Sequence, residues 1–399
     1  MSTTPRPALL LLAYLAFVSL GLPDGLLGVG WPSIRADFGV PTESVGLLLT
    51  AGTVGYLTSS VAAGFTLARV GVGWLLASST VLASLALSGY AGAPMLPLMV
   101  GAALLLGLGS GAVDSGLNAY AASAFGPRHM NWLHAFFGLG VAIGPLIMTT
   151  VIGAGLSWRW GYGIVASAQV LLALAFVLTV RAWADRRTEL PAADGASGPA
   201  HPVRVRIGAT LSLPAVWTGA VAFAVYVAVE VGAGLWAFLL LTEGRGLSEA
   251  VAGICVSLYW GSLFVGRVVQ GLVAERLGSG QVLRGSLIGM AVGAALVAVP
   301  GPAGLAVVGL AIIGFAAAPV FPLLTLTTAE RVGPVHADRA IGLQIGAAGL
   351  GGALLPAGIG VLLSRVTVEA LGPSLLVLSL VLLGLYHAST RPRVPEPAV

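Results

Sequence analysis

Apolar residues in this chain come in unbroken runs of about 20 residues or more, set apart by short polar breaks, rather than as a stripe or an alternation. A helix of that length spans a hydrocarbon core of roughly 30 Å, and a helix apolar on every side belongs in lipid. The pattern predicts twelve helices, over 8–31, 44–66, 73–92, 95–125, 131–155, 160–182, 214–241, 249–273, 281–300, 302–329, 338–362 and 369–389. Taken alone, Arg6 and the run 8–20 would suit a secretory signal, but the run continues to Trp31 and is read as the first span. The chain is expected to be an all-α membrane protein.

The longest polar break, 183–206, mixes charges with Pro, Gly, Ala and Ser and has no helical period. It predicts a linker over 183–213 between an N-terminal six-helix unit, 1–182, and a C-terminal one, 214–399. The two units resemble each other. "GFTLARVG" (64–71) and "GLVAERLG" (271–278) share Gly64/Gly271, Arg69/Arg276 and Gly71/Gly278 at an offset of 207, and both lie between the second and third helix of their unit. Gly107 and Gly314, in the two fourth helices, keep that offset, and Asp24 and Glu230, in the two first helices, differ by 206. A six-helix unit has been duplicated.

Composition sharpens the picture. Hydrophobic residues make up 57% and charged residues 9%, against roughly 25% charged in a soluble domain. With the N-terminus in the cytoplasm, Arg6, Arg69, Arg128, Arg181, Arg186, Arg187 and most other arginines fall inside, leaving Arg35, Arg159, Arg245 and Arg365 outside. The positive-inside rule therefore predicts both termini in the cytoplasm. The net charge of +4 follows from that topology and implies no nucleic-acid partner. All basic residues are Arg and Ala, Gly and Pro abound, which fits a GC-rich bacterium and its cytoplasmic (inner) membrane. Cys255 is the only cysteine, which excludes an intrachain disulfide and a thiolate metal cluster.

Of the acidic residues, only Asp24, Asp114 and Glu230 fall well inside predicted spans. An acid at the centre of a lipid-exposed helix costs about 2.5–3.5 kcal/mol, so these groups are expected to face a cavity or a partner. Asp24 and Glu230 each lie about 24 Å along their helices, and Asp114 about 27 Å from the outer end of its own, so the three bracket the middle of the membrane. Asn118 follows Asp114 by four residues and shares its face, which suits a solute hydroxyl. The alternatives stay open: Asp114 as an interhelical tie, Asp24 between Pro23 and Gly25 as a polar break, Glu230 as a structural acid. Tyr226, Tyr259 and Trp260 are candidates for stacking on a solute or for packing. Arg267 can pair with an acid, contact solute or snorkel to the interface. His134, near the start of the fifth helix, is a candidate relay or simply a hydrogen-bonding group.

The signature after the second helix, Gly, three residues, Asp, Arg, one residue, Gly, is similar to that of the major facilitator superfamily. Both copies fit except that Ala68 replaces the acid that Glu275 retains. The resemblance implies two pseudo-symmetric six-helix bundles around a central cavity, alternating access by rocking, and cytoplasmic latches at Gly64, Arg69, Gly71, Gly271, Glu275, Arg276 and Gly278. "GLPDGLLG" (21–28), "GLGSGAVDSGLNAY" (107–120) and "WLHAFFGLGVAIGPL" (132–146) resemble the fucose and glucose/galactose:proton symporter branch and related bypass-of-stop-codon-type transporters. In those symporters an acid in helix one and another in helix four carry the proton, and an Asn follows the second. Asp24, Asp114 and Asn118 match these positions, whereas Phe137 stands where the branch has an Asn, so sugar specificity does not carry over.

The expected function is secondary active transport, proton-coupled symport of a sugar or other small polar solute. Asp24 and Asp114 would couple the proton; Asp114, Asn118, Tyr226, Glu230, Tyr259 and Trp260 would bind the solute; His134 and Arg267 would serve as relay or ion pair. A proton-antiport exporter of drugs or metabolites and a non-transporting membrane sensor are the alternatives. No P-loop, HExxH or GxSxG occurs, so no enzyme and no cofactor beyond coupling protons is expected, and the protein is expected to be a monomer.

Overall fold

In hydrocarbon, backbone N–H and C=O groups find no water, so an apolar run that enters lipid closes its hydrogen bonds as a helix. A computed structural model of the chain describes residues 7–183 and 207–390; within these, the side chains of 68, 122–123, 126–128, 130–131, 270–275, 338 and 390 lie outside the description. Most of the expected linker, and the surroundings of Gly271 and the side chain of Glu275, thus lie outside the description. Twelve helices are long and apolar enough to span: α1 (Pro7–Phe38), α2 (Thr42–Leu67), α3 (Arg69–Gly92), α4 (Leu96–Ala121), α5 (Trp132–Gly153), α6 (Arg159–Trp183), α7 (Pro214–Gly244), α8 (Glu249–Val269), α9 (Ser279–Ala298), α10 (Ala303–Leu326), α11 (Pro334–Arg365) and α12 (Val368–Ser389). No strand occurs among the described residues.

Three boundaries depart from the sequence reading. First, α1 runs through Pro32 to Phe38, because Arg35 and Asp37, which end the apolar run, project into ion pairs beyond the hydrocarbon rather than ending the helix. Second, α10 is split into Ala303–Ala317 and Val320–Leu326. Pro319 has no N–H for the Phe315 carbonyl and Pro322 none for Ala318, so the ladder fails at that point. Third, residues Ile207–Leu211, within the expected linker, form one helical turn.

The duplication is visible in the packing. Gly71, at a kink just inside the start of α3, and Gly278, between α8 and α9, take positive φ, 76° and 83°, where a side chain would be strained. Gly107 of α4 lies against the backbone of Gly52 and Tyr56 on α2, and Gly314 of α10 against Tyr259 and Ser262 on α8. A Cβ at either position would collide, so each pair of helices meets backbone to backbone. Gly140 and Gly144 bring α5 equally close to Val18, Leu22 and Gly25 of α1.

Each unit also carries an arginine clamp at the end remote from residues 7 and 390. Arg159, opening α6, pairs with Asp37 at the end of α1 and donates to the Ala93 carbonyl beyond α3 at 2.8 Å. In the second unit the charges are exchanged: Arg245, just past α7, pairs with Glu369 at the start of α12 at 2.8 Å and donates to the Val297 and Gly301 carbonyls at 3.0 and 2.9 Å. Both clamps join the first, sixth and third helices of their unit.

The two units touch at this same far end. α1 and α7 cross so closely that a Cβ on Gly28 would sit 2.9 Å from the Gly234 carbonyl oxygen. Beyond the crossing, Arg35 pairs with Glu243 at 3.2 Å. Gly46 of α2 meets Ala357 of α11, and Gly253 of α8 meets Thr149 of α5. Along α5 and α8, Ser257 donates to the Ala142 carbonyl at 2.6 Å. The far end is closed, while nearer the termini Asp24 and His134 are exposed and the units meet again where Arg267 donates to the His134 carbonyl.

Two outcomes follow from these contacts. Gly28→Val cannot keep the backbone crossing, so the far end is expected to open; in a Cys255→Ala background, a short bifunctional thiol reagent should cross-link Arg35→Cys with Glu243→Cys several-fold less when Gly28→Val is added. Arg245 has a side chain only 1% exposed, and Arg245→Ala would strand Glu369 and two carbonyls. Its loss is expected to lower unfolding stability in detergent by about 3 kcal/mol, as for a broken buried pair. Arg35→Ala, which removes a half-exposed pair, should cost about 1 kcal/mol or less.

Candidate functional site

The crossing of α1 and α7 places the acids. Asp24 is four residues before Gly28 and Glu230 four before Gly234, so each lies one helical turn on the termini side of the contact. Both therefore sit at the closed head of the space between the units.

Asp24 is exposed although it is deep in the protein, and among the described residues its carboxyl has no hydrogen bond or ion pair. Its charge reaches three phenols, Tyr56 of α2, Tyr90 of α3 and Tyr162 of α6. The Tyr90 and Tyr162 rings pack with centroids 5.0 Å apart, and the buried Tyr162 hydroxyl has no partner. An unpaired carboxyl in reach of water can take up and release a proton without breaking a bond to the protein.

Asp114 is held instead. The Tyr56 hydroxyl donates to its Oδ2 at 2.6 Å and the Asn118 amide to its Oδ1 at 3.0 Å. Tyr56 comes within reach because the glycines of α4 let α2 approach; a Cβ on Gly111 would collide with the Tyr56 carbonyl. Asp114 and Asn118 are both partly buried, and the Asn118 carbonyl oxygen, itself enclosed in this conformation, has no partner. This corner can accept a hydroxyl hydrogen while its own geometry is fixed by Tyr56.

The second unit offers a different arrangement. The Tyr226 hydroxyl contacts Glu230 Oε2 and, at 3.1 Å, the Ala317 carbonyl at the break of α10. Tyr259 donates to the Glu230 backbone carbonyl at 2.7 Å. Tyr226, Tyr259 and Trp260 were candidates for solute stacking, but all three are buried. Tyr226 and Tyr259 spend their hydroxyls on Glu230 and its backbone, while Trp260 packs edge-on to Tyr259 and against Gly234. In this conformation they build the wall behind Glu230 and present no face to the cavity.

His134 is exposed and Arg267 partly buried. The structure brings them together across the units, with Arg267 Nη1 donating to the His134 carbonyl at 3.0 Å, yet neither forms an ion pair among the described residues. The electrostatic reach of Asp114 extends to His134, and that of Arg267 to Glu230. Arg267 and His134 at the termini end thus lie towards two acids deeper in. Of the expected latches, Gly64, Arg69, Gly71, Arg276 and Gly278 are exposed, and neither arginine forms an ion pair among the described residues. No cluster of three metal-ligating side chains occurs among the described residues.

Tyr56 and the α10 break were missed in the sequence. Tyr56 stands in a polar stretch of α2 with Thr53, Thr58, Ser59 and Ser60, and "PVFP" (319–322) puts two prolines in one turn; both were available as signals.

The chain matches the family profile of the Major Facilitator Superfamily over residues 13–394. A search of curated protein sequences finds no match. Among solved structures, a point mutant of the nucleoside transporter NupG aligns with 97% of this chain and 100% of its own at 14% identity and a TM-score of 0.74. FucP in its outward conformation aligns with 97% and 99% at 15% identity and a TM-score of 0.63, and a point mutant of the E. coli fucose:proton symporter FucP with 97% and 99% at 16% and 0.62. At these identities the likeness is one of fold. Together with the twelve spans, the profile match shows that the chain belongs to the Major Facilitator Superfamily, as a multi-pass membrane transporter of small-molecule solutes and not an enzyme.

Proposed function

We propose that this transporter is a proton-coupled symporter of a sugar or another small polar, hydroxyl-bearing solute, seated in the cytoplasmic membrane with both termini inside. The carrying observation is the contrast between two acids of the first unit near Tyr56: Asp24 unpaired and exposed, Asp114 fixed by Tyr56 and Asn118. Asp24 is the proton carrier in this reading. Access to water lets it ionise, and enclosure during the rocking of the units disfavours its charge and retains the proton. Asp114 and Asn118 receive the solute, the carboxylate and the free amide oxygen accepting hydroxyl hydrogens. The arginine placement supports the orientation, and the closed far end is then the outer one. His134, near the cytoplasmic start of α5, is the candidate relay for the proton's release to the cytoplasm in this reading.

Uptake into vesicles under an imposed pH gradient, with a radiolabelled panel of sugars and nucleosides, tests this. One unit of gradient sustains about tenfold accumulation for one proton per solute. Asp24→Asn should lose that accumulation and keep counterflow exchange, whereas Asp114→Asn should lose both. Undiminished accumulation in both variants overturns the mechanism, and efflux driven by the same gradient would make the protein an exporter.

Tyr56→Phe removes one hydrogen bond to a charged group and leaves the ring in place. Solute affinity, read as the KM of uptake, should weaken by roughly tenfold or more, with the proton dependence of transport unchanged. A shift in the pH profile instead would place Tyr56 with the coupling group.

A further inference from the structure

The contacts of Tyr226 contain one hydrogen too few. A phenol has a single hydrogen to give, a backbone carbonyl only accepts, and an ionised carboxylate only accepts. The Tyr226 oxygen nonetheless lies within hydrogen-bonding distance of both Glu230 Oε2 and the Ala317 carbonyl. With Glu230 ionised, one of these two contacts sets lone pair against lone pair. With Glu230 protonated, its O–H goes to Tyr226 and the Tyr226 hydrogen goes to Ala317, so both contacts are satisfied.

Ala317 is no ordinary acceptor. It ends the first segment of α10, directly before the turn at Ala318 and Pro319 where the helix breaks, and the second segment restarts at Val320. Phe321, just after the break, packs at 6.4 Å from the Tyr226 ring and 5.2 Å from Phe223. The Tyr226 hydroxyl is thus a clip on the hinge of α10, and Glu230 determines whether it has a hydrogen to spare.

We propose that Glu230 is a proton-binding group of the second unit whose protonation fastens the α10 break through Tyr226. It extends the proton-coupled reading above and rests on it for its part in transport. The proton comes from water in the cavity and returns to it; no other bond changes. From α8, Tyr259 and Arg267 face Glu230, the first on its backbone carbonyl and the second through its charge. From α1 the acid at the same depth is Asp24, while α11 and α12 carry their titratable groups near their ends and α10 carries none. When Glu230 loses its proton it competes with Ala317 for the one phenolic hydrogen, and the clip opens.

Hydrogen exchange of the purified protein, followed by mass spectrometry over residues 315–326 at several pH values and corrected for intrinsic rates, reads the clip without any transport. In the wild type, protection of this segment should be roughly fivefold greater at low pH than at high pH, the factor for one net hydrogen bond. Glu230→Gln, whose amide donates as the protonated acid does, should be protected at every pH. Tyr226→Phe should be unprotected at every pH, and it carries the test if Glu230→Gln does not fold. Asp24→Asn should keep the wild-type pH dependence even though it abolishes coupled uptake, which separates this inference from the transport mechanism. A wild type without pH dependence, a wild-type profile in Glu230→Gln or in Tyr226→Phe, or loss of the dependence in Asp24→Asn would each overturn it.

Discussion

Where α1 and α7 cross, Gly28 meets the Gly234 carbonyl with no side chain between them. This contact closes one end of the space between the units, and the remaining functional geometry is measured from it. Because helical neighbours recur every three to four residues, the acids four positions earlier fall just beneath the closure. Arg35 and Glu243, seven and nine residues beyond the two glycines, pair above it. The crossing therefore divides two charged layers, an outer pair that is satisfied and an inner pair of acids that is not joined to any arginine.

Charge is scarce in this protein, and each buried instance has a distinct solution to the cost of leaving water. Arg245 is enclosed and held through its two terminal nitrogens by Glu369 and two carbonyls, which makes it a fixed clamp. Asp114 accepts two hydrogen bonds and keeps its place, while Asp24 relies on the cavity for its solvent. Glu230 depends on a neighbour that has only one hydrogen for two acceptors. The first two groups are fixed by several partners at once, whereas Asp24 has none among the described residues and Glu230 shares its one phenol with a backbone carbonyl.

The duplicated units have kept their packing and diverged in their chemistry. Both retain the glycine of positive φ, the backbone contact of second and fourth helices, and the clamp between first, third and sixth helices. Yet the clamps have exchanged acid and base between helix ends, and the fourth helix of one unit carries Asp114 where its counterpart carries a proline break. An aspartate held by a tyrosine in α4 and a hinge held by a tyrosine in α10 occupy comparable parts of the two bundles.

The sequence by itself determined the span count, the twofold repeat and the three intramembrane acids, because lipid thickness and the cost of charge in hydrocarbon act on each helix separately. The end of α1 at Phe38 was not legible, since hydropathy stops at the first charge whereas a helix continues as long as its charges find partners, here on α6 and α7. Nor was Tyr56 legible as a partner of Asp114, because the two are 58 residues apart and meet only when α2 and α4 pack through glycine. Tyr226, Tyr259 and Trp260 illustrate the same limit: helical spacing shows that they share a region with Glu230, but whether an aromatic face looks into a cavity or into a neighbouring helix depends on the packing of α8 and α10 around α7. Tertiary structure alone decided which acid is unpaired, which is held by two donors and which contacts a phenol shared with a backbone carbonyl, since each outcome depends on how the helices around it pack.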